Sequence, residues 1–167
     1  MRVRVVVADE SEARFYDSAS PDGALRLAGR LTDPAARLHD RDFKSDRPGR
    51  VFDHAPVPGR RRGAVAHHGT GGERRPRKHE AARFAHEIAG ELDRARREDR
   101  FDRLVVMAGP PFLGALRAAL PEPVRARVMA EVPKDLVHQA DSAVREALQR
   151  AASSPATRRK GKSRGAA

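Results

Sequence analysis

The residues best suited to chemistry lie between positions 39 and 79, and most of them are arginines. Arg60-Arg61-Arg62 and Arg74-Arg75-Pro76-Arg77-Lys78 flank a glycine-rich stretch, His67-His68-Gly69-Thr70-Gly71-Gly72-Glu73, and Arg47 and Arg50 precede it. Guanidinium forks match the oxygens of phosphate, and such contacts give salt-dependent affinity that tolerates sequence variation. Aromatic residues make up only 4% of the chain, too few to stack on bases and read a single strand. The predicted nucleic-acid-binding set is therefore Arg47, Arg50, Arg60, Arg61, Arg62, Arg74, Arg75, Arg77 and Lys78. Asp46, Arg50 and Asp53 admit two roles: a buried Asp–Arg pair pinning this segment to a sheet edge, or direct contact with a ligand.

Other chemistries have less support. His79-Glu80 and His86 are not an HExxH motif, because the two histidines stand seven residues apart with Arg83 between them. A cation there opposes a metal ion, so they read as surface histidines. No Gly-Lys-Ser/Thr precedes the helix that follows the glycines, which removes a phosphate-binding P-loop. Cysteine is absent, so disulfides, thiolate metal sites and cysteine nucleophiles are excluded together. The sequence assigns no catalytic residue, no metal and no cofactor.

The net charge is +11, and its placement says more than its size. Residues 1–38 and 80–150 are each balanced, six basic against six acidic and twelve against twelve. Residues 39–79 carry eleven Lys/Arg against five Asp/Glu, and residues 151–167 carry five with no acid. The whole excess sits in one long loop and one tail, segments that attract polyanions such as RNA, DNA or acidic surfaces. No apolar run approaches a membrane span, and the opening MRVRVVVADE is too short and too charged for a signal peptide, so the expected compartment is the cytoplasm.

The elements that must hold these segments alternate in type. Arg2 to Ala8 reads as a strand that begins outside and ends in the core, Ala13 to Tyr16 as its antiparallel partner, and Leu25, Leu27, Gly29 and Leu31 as a third strand with alternating faces. Residues 39–79 hold no sustained period, and a loop of that length in a compact domain is usually functional or disordered. From Glu80, Ala81, Phe84, Ala85, Ile88, Ala89, Leu92 and Ala95 form one apolar helical stripe. Leu104 to Ala108 is a short, unbroken apolar run, the pattern of a strand buried on both faces with a parallel neighbour. Gly109-Pro110-Pro111 ends it, and Phe112, Leu113, Leu116 and Leu120 continue at helical spacing. Val128 to Val132 is a weaker last strand, and Asp135 is expected to cap a final helix. The predicted order is β-β-β-α-β-α-β-α: an α/β domain over residues 1–150, with a mixed five-stranded sheet, helices on both faces and a ribonuclease H-like plan. Residues 151–167 are expected to be a disordered basic tail.

Several short signatures occur together along these elements. They are Asp9 after the first strand, Asp46-Arg47-Pro48-Gly49-Arg50 with Asp53, Pro110-Pro111-Phe112-Leu113-Gly114 with Arg117, and Lys134-Asp135-Leu136. In this respect the chain resembles the host attachment protein family, "protein required for attachment to host cells", over about residues 3–150. That family is in turn similar to bacterial relatives of the middle domain of archaeal and eukaryotic peptide-chain release factors. The resemblance implies a ribonuclease H-like fold and a role on RNA or the ribosome. In release factors a loop at the corresponding place ends in Gly-Gly-Gln, whereas here Gly71-Gly72 is followed by Glu73. A carboxylate accepts where an amide would donate, which weighs against peptidyl-tRNA hydrolysis. Ribonuclease H-type nucleases gather carboxylates around two metal ions; Asp9 with Glu80 or Glu87 would supply part of such a set, but Leu104–Ala108 contributes no acid. The leading expectation is a non-enzymatic RNA- or ribosome-associating domain. A surface-adhesion or interaction module for anionic partners comes second, and a hydrolase acting on RNA or peptidyl-tRNA third.

Overall fold

A computed structural model describes residues 1–36 and 74–153, and in the second stretch the side chains from residue 78 onward. Five strands form one sheet: β1 (Val3–Ala8), β2 (Glu12–Ser18), β3 (Arg26–Thr32), β4 (Arg103–Ala108) and β5 (Val128–Val132). Their order is β3-β2-β1-β4-β5, with β1–β2 and β2–β3 antiparallel and β1–β4 and β4–β5 parallel. The helices are α1 (Arg74–Arg97), α2 (Pro110–Ala119), a single turn α3 (Glu122–Arg125) and α4 (Asp141–Ser153). This is the α/β layering expected from the alternation of elements, with β1 in the middle of the sheet.

The two faces of the sheet are covered by different helices. Val6, Ala8, Phe15, Leu104 and Val106 pack under the α1 stripe of Phe84, Ile88 and Leu92 and under Phe112, Leu113 and Leu116 of α2. Val3, Val5, Val7, Val105 and Met107 pack against Val144, Ala147 and Leu148 of α4. Period-two alternation therefore splits β1 and β4 between two cores, which is why both read as continuous apolar runs.

Four local expectations need correction. Arg4 does not lie outside: it is 2% exposed. Asp17 takes it from the neighbouring strand through two hydrogen bonds of 2.7 Å, and its guanidinium stacks on Phe101 at 5.6 Å. A paired, ring-stacked arginine can be buried where a lone one cannot.

In β3, Leu25, Leu27, Gly29 and Leu31 do not share one face. Phe15 pairs with Gly29 but Tyr16 pairs with Leu27, so Ala28 is the extra residue of a bulge. Leu31 then packs with one core and Leu25 with the other, while Leu27 is left 47% exposed.

Helix α1 starts at Arg74, not Glu80, with Pro76 in its first turn, where a missing N–H costs nothing. The last helix starts at Asp141, not Asp135. The Asp135 carboxylate instead accepts the Val137 N–H at 3.3 Å, closing a turn that buries Val137, and Tyr16 donates to Asp141 at 2.8 Å, fixing the true start of α4.

Candidate functional site: the carboxyl edge of the sheet and the groove beside β5

The carboxyl ends of β1, β3, β4 and β5 point the same way, and the predicted motifs gather there. After β1, Asp9 folds back on its own turn: Oδ1 accepts from the Ser11 and Glu12 N–H groups, both at 2.7 Å, and from the Ser11 hydroxyl at 2.9 Å. Its second oxygen lies 3.0 Å from His138 Nε2, which arrives from the turn after β5. Sequence reasoning singled out Asp9 but not His138, because only the strand order brings the two turns together. The arrangement is not a nucleophile–base pair. Ser11 directs its proton at the carboxylate rather than at the imidazole, so nothing activates its oxygen.

After β3, Asp33 is 2% exposed and takes Nη2 of Arg83 on both oxygens, at 3.0 and 2.9 Å. It also accepts the Ala35 N–H at 3.0 Å, and its own N–H donates to Ser11 O at 2.8 Å. Arg83 is on α1, so one ion pair joins the stretch just before residue 37 to the helix that resumes at residue 74. The sequence carries little signal for this: Asp33 stands beside Pro34 just after the third strand, and Arg83 is one of several arginines along α1.

After β4, Gly109 brings the chain against the Asp135 turn, where a Cβ on the glycine would lie 3.8 Å from that of Asp135. Pro110 and Pro111 occupy the first two positions of α2, and no side chain caps the helix. Two of the N–H groups that a helix start usually offers to an anion are therefore missing. Phe112 and Leu113 are core anchors rather than site residues, and Leu136 packs at the margin of the α4 core.

The remaining motif residues face elsewhere. Gly114 and Arg117 of α2, with Lys134 just after β5, line a groove of about 1130 Å³ along the outer edge of β5. Its other walls are Ala118 of α2, Arg125 of α3, Val128 to Val132, and Ala147, Arg150 and Ala151 of α4. Within it Arg117 pairs with Glu131, which holds the guanidinium pKa above its usual value.

Of the predicted nucleic-acid-binding residues, Arg74, Arg75, Arg77 and Lys78 belong to the first turns of α1, with Lys78 exposed. Arg47, Arg50, Arg60, Arg61 and Arg62 lie outside the described residues, as do Asp46, Gly49, Asp53 and the Gly71-Gly72-Glu73 sequence. His79 and His86 are exposed, and Glu87 pairs with Arg83 at 3.3 Å. Among the described residues no group of three or more His, Asp or Glu could hold a metal ion.

These features define a class: an open α/β-sheet protein whose polar turns meet at the carboxyl edge. The matching family model covers residues 4–148 and is described as "Protein required for attachment to host cells"; the chain belongs to that family. The comparison with curated proteins gives no match. A solved structure described as an archaeal protein overlays 89% of this chain and 36% of its own length, at 8% identity and a TM-score of 0.42. The chain thus spans little more than a third of that structure.

Proposed function

We propose that this chain is a non-enzymatic, cytoplasmic domain that associates with RNA or ribosomes through its basic segment 39–79 and its basic tail. The observation that carries this reading is the Asp33–Arg83 pair. It joins the stretch just before residue 37 to helix α1, whose first turns carry Arg74, Arg75, Arg77 and Lys78, so residues 39–79, with their excess of six positive charges, run between two parts of one charge-balanced body. Phosphate contacts from such a segment give affinity through counterion release and need no shaped pocket. The strand order β3-β2-β1-β4-β5 supports a ribonuclease H-like topology and, through it, kinship with the release-factor middle domain. Asp9 is committed to Ser11, Glu12 and His138, which speaks for a structural carboxylate and against a metal ligand or base. The family's description names attachment to host cells and favours a second reading, a surface-adhesion module whose basic segments meet anionic partners.

Sedimentation of lysate through sucrose at low salt tests the leading reading. The protein is expected in ribosomal fractions and is released by nuclease or by raised salt. Absence from every ribosomal fraction at low salt contradicts it.

A further inference from the structure

The groove beside β5 is a feature that the basic segment does not explain. β5 is an edge strand, with no strand beyond it among the described residues. The opposite edge, β3, is blunted by the bulge at Ala28 and by exposed Arg26 and Arg30. β5 carries one irregularity of its own, the extra residue Met129 between Val128 and Ala130, and its one charged residue, Glu131, is drawn aside by Arg117. Small residues stand over it from both helix layers, Gly114 and Ala118 on α2 and Ala147 and Ala151 on α4, each pair one turn apart. They leave open a slot along the outer edge of the strand. A Cβ on Gly114 would meet nothing within 4 Å, so the chain's own packing does not require that space.

We propose that this groove receives an extended acidic peptide segment of a partner protein, which adds to the sheet as a sixth strand beside β5. The backbone edge supplies hydrogen bonds and the small residues supply room for side chains. Charge selects the occupant: the lining holds Arg117, Arg125, Lys134 and Arg150 against Glu131 alone, with Glu122 and Glu146, the partners of Arg125 and Arg150, outside it. A second copy would set these cations against themselves, and this chain's own segments 39–79 and 151–167 are basic and would also be repelled. A nucleic acid has the right charge, but the lining offers no aromatic ring for a base and the edge offers a peptide ladder.

The test uses the full chain and four fluorescein-labelled decamers: alternating Glu-Val, alternating Lys-Val, oligoglutamate and oligouridine. Affinity is read by anisotropy and the place of binding by hydrogen–deuterium exchange. Glu-Val is expected to bind roughly tenfold or more tighter than Lys-Val and oligoglutamate. It should slow exchange over residues 128–132. Gly114→Phe, which fills the slot from a position with free space around it, should weaken Glu-Val binding about tenfold with an unchanged circular dichroism spectrum. Arg150→Glu should weaken it by roughly threefold or more. Protection of residues 128–132 by oligoglutamate or oligouridine equal to that by Glu-Val, unchanged exchange at β5 with Glu-Val, or full Glu-Val affinity in Gly114→Phe overturns the proposal. Oligouridine bound through segment 39–79 leaves exchange over residues 128–132 unchanged, so the readout at β5 separates this proposal from RNA association.

Discussion

Replacing Arg83 by alanine takes the guanidinium away from a carboxylate that has almost no water around it. Asp33 is 2% exposed, and after the substitution the Ala35 N–H is the one donor among the described residues that still reaches its side chain. Breaking a buried pair by removing one partner costs about 3–5 kcal/mol when both groups are dry. Here the Arg83 side chain is 54% exposed, so water screens the pair and fills part of the space left behind. That discount brings the expected loss to about 2 kcal/mol, including a few tenths for the exposed contact with Glu87. Arginine and alanine are both good helix formers, so α1 itself should be little affected. For a chain of this size about 2 kcal/mol is a fall of roughly 4–8 °C in Tm, read by circular dichroism at 222 nm. Glu87→Ala serves as the control and should cost no more than about 0.5 kcal/mol. In the background of Asp33→Asn, which removes the charge but keeps the shape, Arg83→Ala should lose most of its effect, a coupling of about 1–2 kcal/mol. If Arg83→Ala leaves Tm within the range of the Glu87 control, or if the two changes add without coupling, the pair does not hold the two stretches together.

Three further predictions follow from burial and charge. Leu104→Ala, at a fully buried site in β4, should cost about 2–5 kcal/mol in urea denaturation, whereas Leu27→Ala at the exposed side of the bulge should stay within about 0.5 kcal/mol. Tyr16 is the only tyrosine, and burial, followed by its bond to Asp141, raises its pKa above the usual 10.0. Its ultraviolet titration should therefore have a midpoint above 10.0 in the folded protein that falls back in urea; stability due to this phenol is complete below that pH and is lost as pH rises through the folded value. Asp102 is pulled down to about 2, first by the Arg2 side chain and then by the Arg2 N–H. Its contribution is complete above the ordinary aspartate range and is lost as pH falls towards about 2, so Asp102→Asn should flatten the acid limb of a stability–pH curve over that interval.

The strands that lie between two cores were legible because both of their faces are apolar: Val5-Val6-Val7 and Leu104 to Ala108 admit no other reading as short elements. The α1 stripe was legible for the corresponding helical reason. What could not be read locally depended on partners distant in sequence. Arg4 is buried because Asp17 and Phe101 receive it, and nothing in positions 2–8 announces either. The β3 leucines alternate correctly, but a single inserted residue divides them between faces, and Ala28 carries no bulge signal of its own. Asp135 has the residue type of a helix cap, yet the same carboxylate suits the turn it makes, and the helix waits for Asp141 and its tyrosine. At the carboxyl edge, Asp9 and the Gly-Pro-Pro turn were visible as motifs. Their neighbours His138 and Asp33 were not, since the parallel crossovers that bring them close are a property of topology rather than of spacing. The groove at β5 had only indirect traces, a helical glycine and an arginine three residues later.

The central claim is that segment 39–79 binds phosphate backbones, and the salt dependence of RNA binding tests it most directly. Affinity of the full chain for a labelled single-stranded RNA should fall linearly on a log–log plot against salt. Replacing Arg60, Arg61 and Arg62 together by alanine should make that slope shallower by about 2, since each phosphate that an arginine neutralises adds about 0.7 to it. No binding at low salt, or an unchanged slope in the triple variant, would contradict it.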